Sequence, residues 1–303
     1  MASKQSEALK SLYASWLGAM TANPNMTLDE TRAMFEHWGD VTAEPRDVDY
    51  REVDVGGVRC FECTPKGAAT DRVLICTHGG GYVVGSMYSH RKVFGHFAKA
   101  VGCRALIVDY RRAPEATHPA QVDDAVKVYA ALLAQGIKPN HVATTGDSAG
   151  GGLCTSMVIA ARDRGLPLPA AIMPWSPWYD MEASGDSIRS RAHLDAIVQE
   201  PVLKNMAATF LGSASPKDPL ASPLHADLKG LPPIYIQVGD HETLLDDSTR
   251  FAARAKAAGV DCTCEVWPEM QHVFHFLAGA APEADEAIRK LAAWVRPRLG
   301  LGT

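Results

Sequence analysis

A serine with glycines two residues to either side stands at Gly146-Asp147-Ser148-Ala149-Gly150. It lies between a strand-like run at 141–145 and a helical run rich in small residues at 149–163. A tight strand-to-helix turn strains the central serine, and the glycines at −2 and +2 leave room for the chain to pass itself. Ser148 Oγ then projects above a sheet, and the helix N-terminus beneath it favours a developing oxyanion. Ser148 reads as a nucleophile. The competing reading, a serine that only caps a helix, is weakened by what lies upstream. There His78-Gly79-Gly80-Gly81 directly follows a strand ending at Thr77. Glycines let backbone N–H groups approach a ligand without obstruction from a Cβ. The N–H groups of Gly80 and Gly81, with that of Ala149, can converge on a tetrahedral oxyanion, where removing one such donor costs roughly 3–4 kcal/mol. A phosphate cradle is the alternative for a glycine loop, but neither the G-K-[ST] ending nor the wider G-x-G-x-x-G spacing is present.

These loops need a frame, and the chain supplies one by alternation. Val53 and Val55, the Gly56-Gly57 turn and the run 58–63 read as a hairpin. Strands at 72–77, 104–108, 141–145, 171–173, 234–238 and 261–267 alternate with helices at 88–101, 121–135, 149–163, 246–258 and 283–298. Short connections between strand and helix predict a parallel sheet with helices on both faces. Two stretches stand outside this rhythm. Leu9, Leu12, Tyr13, Trp16, Leu17 and Met20 form an amphipathic helix, and Thr27-Leu28-Asp29-Glu30 is a capping box for a second. That second helix turns Met34, Phe35 and Trp38 inward and ends near Gly39. The pair reads as a lid over an apolar pocket or as an ordinary packing layer. A membrane-surface role fits less well because the polar face is not basic. Residues 176–229 separate two strands by more than fifty positions and carry Trp178, Tyr179, His193 and Phe210. Insertions at strand ends usually shape a site. The expected organisation is an N-terminal helical cap segment at 1–45 and a catalytic domain at 46–303, with 176–229 contributing to the cap.

Composition narrows the functional classes. The chain has 303 residues, 47% of them hydrophobic and 21% charged, with a net charge of −5. That is ordinary globular composition, and no basic field is present for a nucleic-acid backbone. No run of 18 apolar residues and no basic-then-apolar leader is seen, so the expectation is a cytoplasmic chain without membrane insertion. The cysteines number seven: Cys60, Cys63, Cys76, Cys103, Cys154, Cys262 and Cys264. An odd count in a long chain argues against a disulfide framework. Cys60 and Cys63, with Cys262 and Cys264, could hold zinc, but both pairs sit in strand-like stretches without zinc knuckles. Reduced buried thiols are expected, and no metal site.

With His78-Gly79-Gly80-Gly81, Gly146-Asp147-Ser148-Ala149-Gly150 and Asp109-Tyr110-Arg111-Arg112-Ala113-Pro114-Glu115, the chain resembles the hormone-sensitive-lipase-like α/β-hydrolases, the bacterial family IV esterases. The resemblance covers roughly residues 50–298. It departs at Arg112, where the family usually has Leu. It implies an α/β-hydrolase fold, with an eight-stranded, mostly parallel sheet and a helical cap formed by the N-terminus and a later insertion. It also implies ester hydrolysis through an acyl-enzyme, without metal or cofactor.

Chain order in such enzymes is serine, acid, histidine. The base is then sought near the C-terminus, at His272 or His275. His272-Val273-Phe274 matches the family's His-Val-Phe, which favours His272. The acid lies in Gly239-Asp240-His241-Glu242-Thr243-Leu244-Leu245-Asp246, where the family usually reads Asp-Pro-Leu-x-Asp. Aligning Leu244 with that Leu puts Glu242 in the acid position, with Asp240 and Asp246 as alternatives. Asp246 looks more like the N-cap of the next helix. His78 and Asp147 read as structural, orienting their loops. The expected pocket is built from Tyr82, Val83, Tyr88 and Trp178, with Trp16 from the cap. Short- to medium-chain apolar esters are the expected substrates. Lactone hydrolysis, amide hydrolysis and a non-catalytic binding protein on the same scaffold remain alternatives, although the last usually lacks the histidine. Family members often dimerise through the last strand, here 261–267.

Overall fold

The computed structural model describes residues 2–302. The strands are β1 (Val48–Val55), β2 (Val58–Pro65), β3 (Ala69–Thr77), β4 (Cys103–Val108), β5 (Val142–Asp147), β6 (Ala171–Trp175), β7 (Ile234–Gly239) and β8 (Cys262–Trp267). They form one eight-stranded sheet in the order β1-β2-β4-β3-β5-β6-β7-β8. β1 and β2, and β2 and β4, pair antiparallel, and every other neighbour pair is parallel. Gly56 and Gly57 both take positive φ, 68° and 80°, as a two-residue hairpin turn requires. Val73-Leu74-Ile75-Cys76 of β3 and Ala105-Leu106-Ile107-Val108 of β4 are wholly buried. Parallel strands covered on both faces need such continuous apolar runs.

The helices are α1 (Glu7–Ala22), α2 (Leu28–Glu36), α3 (Arg91–Val101), α4 (Ala120–Ala134), α5 (Ala149–Asp163), α6 (Ser187–Ser190), α7 (Glu200–Leu211), α8 (Leu245–Ala257) and α9 (Pro282–Val295). Two apolar cores result, one per face. One gathers residues of α4, α5, α7 and α8. The other gathers residues of α1, α2, α3 and α9. The capping box of α2 forms: Glu30 N–H donates to Thr27 Oγ1 at 3.2 Å, and Thr27 N–H to Glu30 Oε2 at 2.8 Å. Successive strand residues alternate faces, so Cys60 falls in one core and Cys63 in the other. They cannot share an ion. All seven cysteines are free thiols, and burial pushes Cys60 and Cys262 up to about 12. Among the described residues, no helix is long and apolar enough to cross a membrane.

Candidate active site

Parallel strands deliver their C-terminal ends to one edge of a sheet, and crevices there are the usual ligand sites of such folds. Ser148 sits at the junction of β5 and α5 with φ 54° and ψ −121°. A non-glycine residue in this region costs roughly 1–3 kcal/mol and persists only when its surroundings hold it. Here Ser148 N–H donates to the Trp175 carbonyl at 2.9 Å, and the Ser148 carbonyl accepts from Gly152 and Trp178 at 3.0 and 2.9 Å. The flanking glycines are demanded by space. A Cβ at Gly146 would meet the Gly150 carbonyl, and one at Gly150 the Thr77 carbonyl.

The glycine loop follows β3. Gly80 and Gly81 take φ values of 106° and 60°. Gly79 N–H donates to Asp147 Oδ1 at 3.0 Å, which ties this loop to the residue before Ser148. Asp147 Oδ2 in turn lies 3.3 Å from His90 Nε2. The N–H groups of Gly80, Gly81 and Ala149 find no protein acceptor among the described residues. His78 is fully buried, receives the Tyr110 hydroxyl on its carbonyl at 2.7 Å and stacks on that ring. Its Nδ1 lies 2.8 Å from the Gly79 carbonyl of the glycine loop.

His272 lies in the loop after β8, and Glu242 in the loop after β7. His272 Nδ1 and Glu242 Oε2 are 2.8 Å apart, and both side chains are buried. Glu242 Oε1 accepts from Ser176 Oγ and from Gly239 N–H, each at 2.6 Å. Burial pushes the Glu242 carboxyl up, only partly offset by the hydrogen bond and charge of His272 and the bonds from Ser176 and Gly239. Burial pulls the His272 imidazole down, but the Glu242 bond and charge outweigh it, so its pKa lies above the ordinary value. A buried base that gains positive charge needs such a fixed counter-charge.

The rival groups are placed elsewhere. His275 stacks on Trp175, bonds Gln237 Oε1 at 2.9 Å, and is pulled down to about 3 by burial. It holds a proton poorly there and is not among the residues that line the cavity beside Ser148. Asp240 accepts from Glu269 N–H at 2.5 Å. Asp246 is not the N-cap of α8, a position held by Leu244. It lies in the first turn, and its carboxylate accepts from Ser187 N–H at 2.9 Å, so it anchors the start of α6 instead.

Ser148, His272, Gly80 and Gly81 open onto one cavity of about 70 Å³. Its other walls are Met20, Thr31, Phe35 and Trp38 from the N-terminal segment, and Trp178, Ile197, Val198, Val202, Leu203 and Met206 from the 176–229 insertion. Of the expected pocket residues, only Trp178 lines it. Tyr82 is buried face to face with Phe210 at 3.8 Å. Val83 lies behind the loop, its carbonyl accepting from Arg32 Nε at 3.0 Å. Tyr88 is 44% exposed and its hydroxyl bonds Glu52 at 2.5 Å. Trp16 sits one layer back, packed on Phe35 at 4.6 Å. Apolar character, with a place beside the glycine loop or in the cap, marks these four in the sequence; their packing partners keep them out of the cavity lining.

The structure also brings in residues that no motif marks. Ser176 bridges Glu242 and Val273, whose N–H donates to its Oγ at 3.1 Å. Asp195 accepts from Thr243 N–H at 2.9 Å, pinning the insertion to the loop that carries Glu242. Gln271 donates to the Leu194 carbonyl and accepts from Ala196 N–H, each at 2.9 Å, which pins it to the loop that carries His272. Arg112, the departure from the family pattern, donates to the Gly85 carbonyl at 2.7 Å at the far end of the glycine loop.

A family model described as an alpha/beta hydrolase fold matches residues 74–276. The chain is 41% identical to an acetyl-hydrolase of Streptomyces hygroscopicus over 88% of each protein. It is 33% identical to an esterase of Acinetobacter venetianus over 81% of each. A crystal structure of an esterase from the bacterial hormone-sensitive lipase family superposes with TM-score 0.94 at 42% identity, covering 99% of this chain and 100% of that one. The structure of EstE5 soaked with p-nitrophenyl butyrate superposes with TM-score 0.90 at 40% identity, covering 99% of this chain and 100% of that one. With the glycine loop, the serine turn and the eight-stranded sheet in place, the chain belongs to the α/β-hydrolases, among the esterases of the bacterial hormone-sensitive lipase family.

Proposed function

We propose that this chain is a serine carboxylesterase that hydrolyses short- to medium-chain apolar esters through an acyl-enzyme. The observation that carries the reading is the shared cavity: Ser148 and His272 open onto it, and Glu242 holds the far side of the imidazole. His272 Nε2 takes the hydroxyl proton as Ser148 Oγ attacks the ester carbonyl carbon. The carbonyl π pair moves onto oxygen, and Gly80, Gly81 and Ala149 donate their N–H groups to that oxyanion. Glu242 keeps the other imidazole proton on Nδ1 and balances the imidazolium. The tetrahedral adduct collapses, the C–O bond to the alcohol breaks, and His272 gives its proton to the departing alkoxide. A water molecule, deprotonated by His272, then attacks the acyl-enzyme, and the acid leaves as Ser148 recovers its proton.

The acyl preference follows from size. A cavity of about 70 Å³ is small beside the roughly 300–1,000 Å³ of sites for drug-sized ligands. The names of the relatives, an acetyl-hydrolase and an esterase soaked with a butyrate ester, point the same way. In this reading α1 and α2 join the 176–229 insertion as a cap over the catalytic body. The outer edge of β8, where Val266 is 40% exposed, is the candidate surface for a homodimer. The test is hydrolysis of p-nitrophenyl esters from C2 to C12, with a matched p-nitroanilide, by the wild type and Ser148→Ala. Turnover of short esters that disappears in the variant is expected. Absence of turnover at every chain length, or an unaffected variant, overturns the reading.

A further inference from the structure

The peptide unit between His272 and Val273 is gripped at both ends. Its carbonyl accepts the Tyr13 hydroxyl at 2.9 Å, and its N–H donates to Ser176 Oγ at 3.1 Å. Tyr13 comes from α1, and Ser176 from the end of β6. The grip acts on a strained link: Val273 has φ 53° and ψ 45°, in the left-handed region that a β-branched side chain strongly disfavours. The two bonds hold the backbone next to the imidazole in a conformation that Val273 disfavours.

The direction of the Tyr13 bond is set by a third group. Trp38 Nε1–H donates to the Tyr13 oxygen at 2.9 Å, so the hydroxyl proton is left for the His272 carbonyl. Tyr13 is fully buried, and burial raises its pKa well above the ordinary value, so it keeps that proton. Trp38 itself lines the cavity. The N-terminal segment therefore does two things at once: it walls the cavity and holds the backbone of the residue that carries the base.

We propose that Tyr13 is a positioning residue for His272, and that the Trp38–Tyr13–His272 relay makes the docked N-terminal helix a condition for turnover rather than only a wall of the pocket. The inference rests on the esterase reading above. Ser176 is the second jaw of the same clamp and also holds Glu242.

The test is Tyr13→Phe, which removes one oxygen and keeps the shape. A misplacement of a reacting group by about an ångström can cost up to a hundredfold in rate. A kcat for p-nitrophenyl acetate about tenfold lower is expected, with KM within twofold, because Tyr13 is absent from the cavity lining. Inactivation of Ser148 by phenylmethylsulfonyl fluoride, which needs the same base, should slow by a similar factor. Leu12→Ala, at the residue before Tyr13, separates positioning from general loosening: it lowers the melting temperature but leaves the hydroxyl, and kcat measured well below that melting temperature, where the helix stays docked, should hold. The proposal is overturned if Tyr13→Phe keeps wild-type kcat and inactivation rate, or if Leu12→Ala loses as much kcat as Tyr13→Phe. The esterase reading fails separately, through an inactive wild type or an active Ser148→Ala.

Discussion

Glu242→Gln tests the site at its most constrained point. The carboxylate only accepts hydrogen bonds, and it accepts from His272 Nδ1–H, Ser176 Oγ–H and Gly239 N–H. A glutamine of the same shape has one acceptor oxygen. Two donors, Ser176 and Gly239, meet at Oε1, so the amide oxygen settles there and the NH₂ group turns to His272. Nδ1 must then accept, which drives the imidazole proton onto Nε2, the atom that should receive the proton of Ser148. Amide-for-carboxylate exchange in a triad lowers kcat by about 10⁴ for this tautomeric reason, equivalent to about 5.4 kcal/mol of transition-state stabilisation. KM should stay within a few fold, because Glu242 is not among the residues lining the cavity. The fold should survive: burial already raises the Glu242 pKa, so the neutral amide costs less to bury than the charge. Steady-state kinetics on p-nitrophenyl acetate, beside a thermal melt, reads all three quantities. A variant that keeps more than a tenth of wild-type kcat/KM while folded would refute the tautomer argument. Equal losses in Asp240→Asn would move the acid along the loop.

The pH dependence has a defined sign. His272 must be neutral to accept a proton, and its pKa is held above 6.5 by Glu242 against the pull of burial. The acid limb of kcat/KM should therefore fall above the ordinary imidazole value and move down in Glu242→Ala, since burial is then opposed only by the smaller effects of the Asp195 and Asp147 charges. Met206 lines the cavity and its sulfur lies against Gly81. Met206→Ala should raise the hydrolysis of octanoate relative to acetate esters several-fold, and an unchanged chain-length profile would remove Met206 from the acyl site. Asp247 is buried with Oδ2 accepting from Tyr179 and Asp180 N–H at 2.7 and 2.9 Å, while Oδ1 has no partner among the described residues. Burial pushes its pKa from 3.8 to about 8. Between those values the folded protein binds the proton that the unfolded chain releases, so stability from this group falls as pH rises from about 4 to 8. Asp247→Asn should flatten that slope in urea titrations across the interval, and a slope identical to wild type would show that the carboxyl is charged in the fold.

How legible each part was depended on how local its cause was. The serine turn and glycine loop could be read because steric need fixes their residues within five positions: Gly146 and Gly150 make room for one crossing of the chain. The Thr27–Glu30 box could be read because both hydrogen bonds close within one helical turn. Helices and strands followed from periodicity and came within a few residues of their observed ends. Glu242 stands out from Asp240 and Asp246 in the sequence only through the family's Asp-Pro-Leu-x-Asp pattern, since chain order admits all three carboxylates. Burial and hydrogen bonding separate them, and neither is local. Tyr82, Val83, Tyr88 and Trp16 lie outside the cavity lining because a residue's type does not set which neighbours its side chain packs against.

Local sequence was enough for the class of fold, and it marked the serine turn, the glycine loop and the C-terminal histidine region that the proposed mechanism uses. Each depends on contacts made within a turn or on strand and helix periods. The tertiary structure alone decided which side chains meet. Ser176, Glu242 and Val273 join because β6, β7 and β8 are adjacent and parallel, ending at one edge. Tyr13 reaches the His272 carbonyl across 259 positions because α1 packs into the same apolar cluster as Val273 and Phe274. Such pairs are set by sheet order and helix docking, properties of the whole packed chain that no single stretch of residues carries.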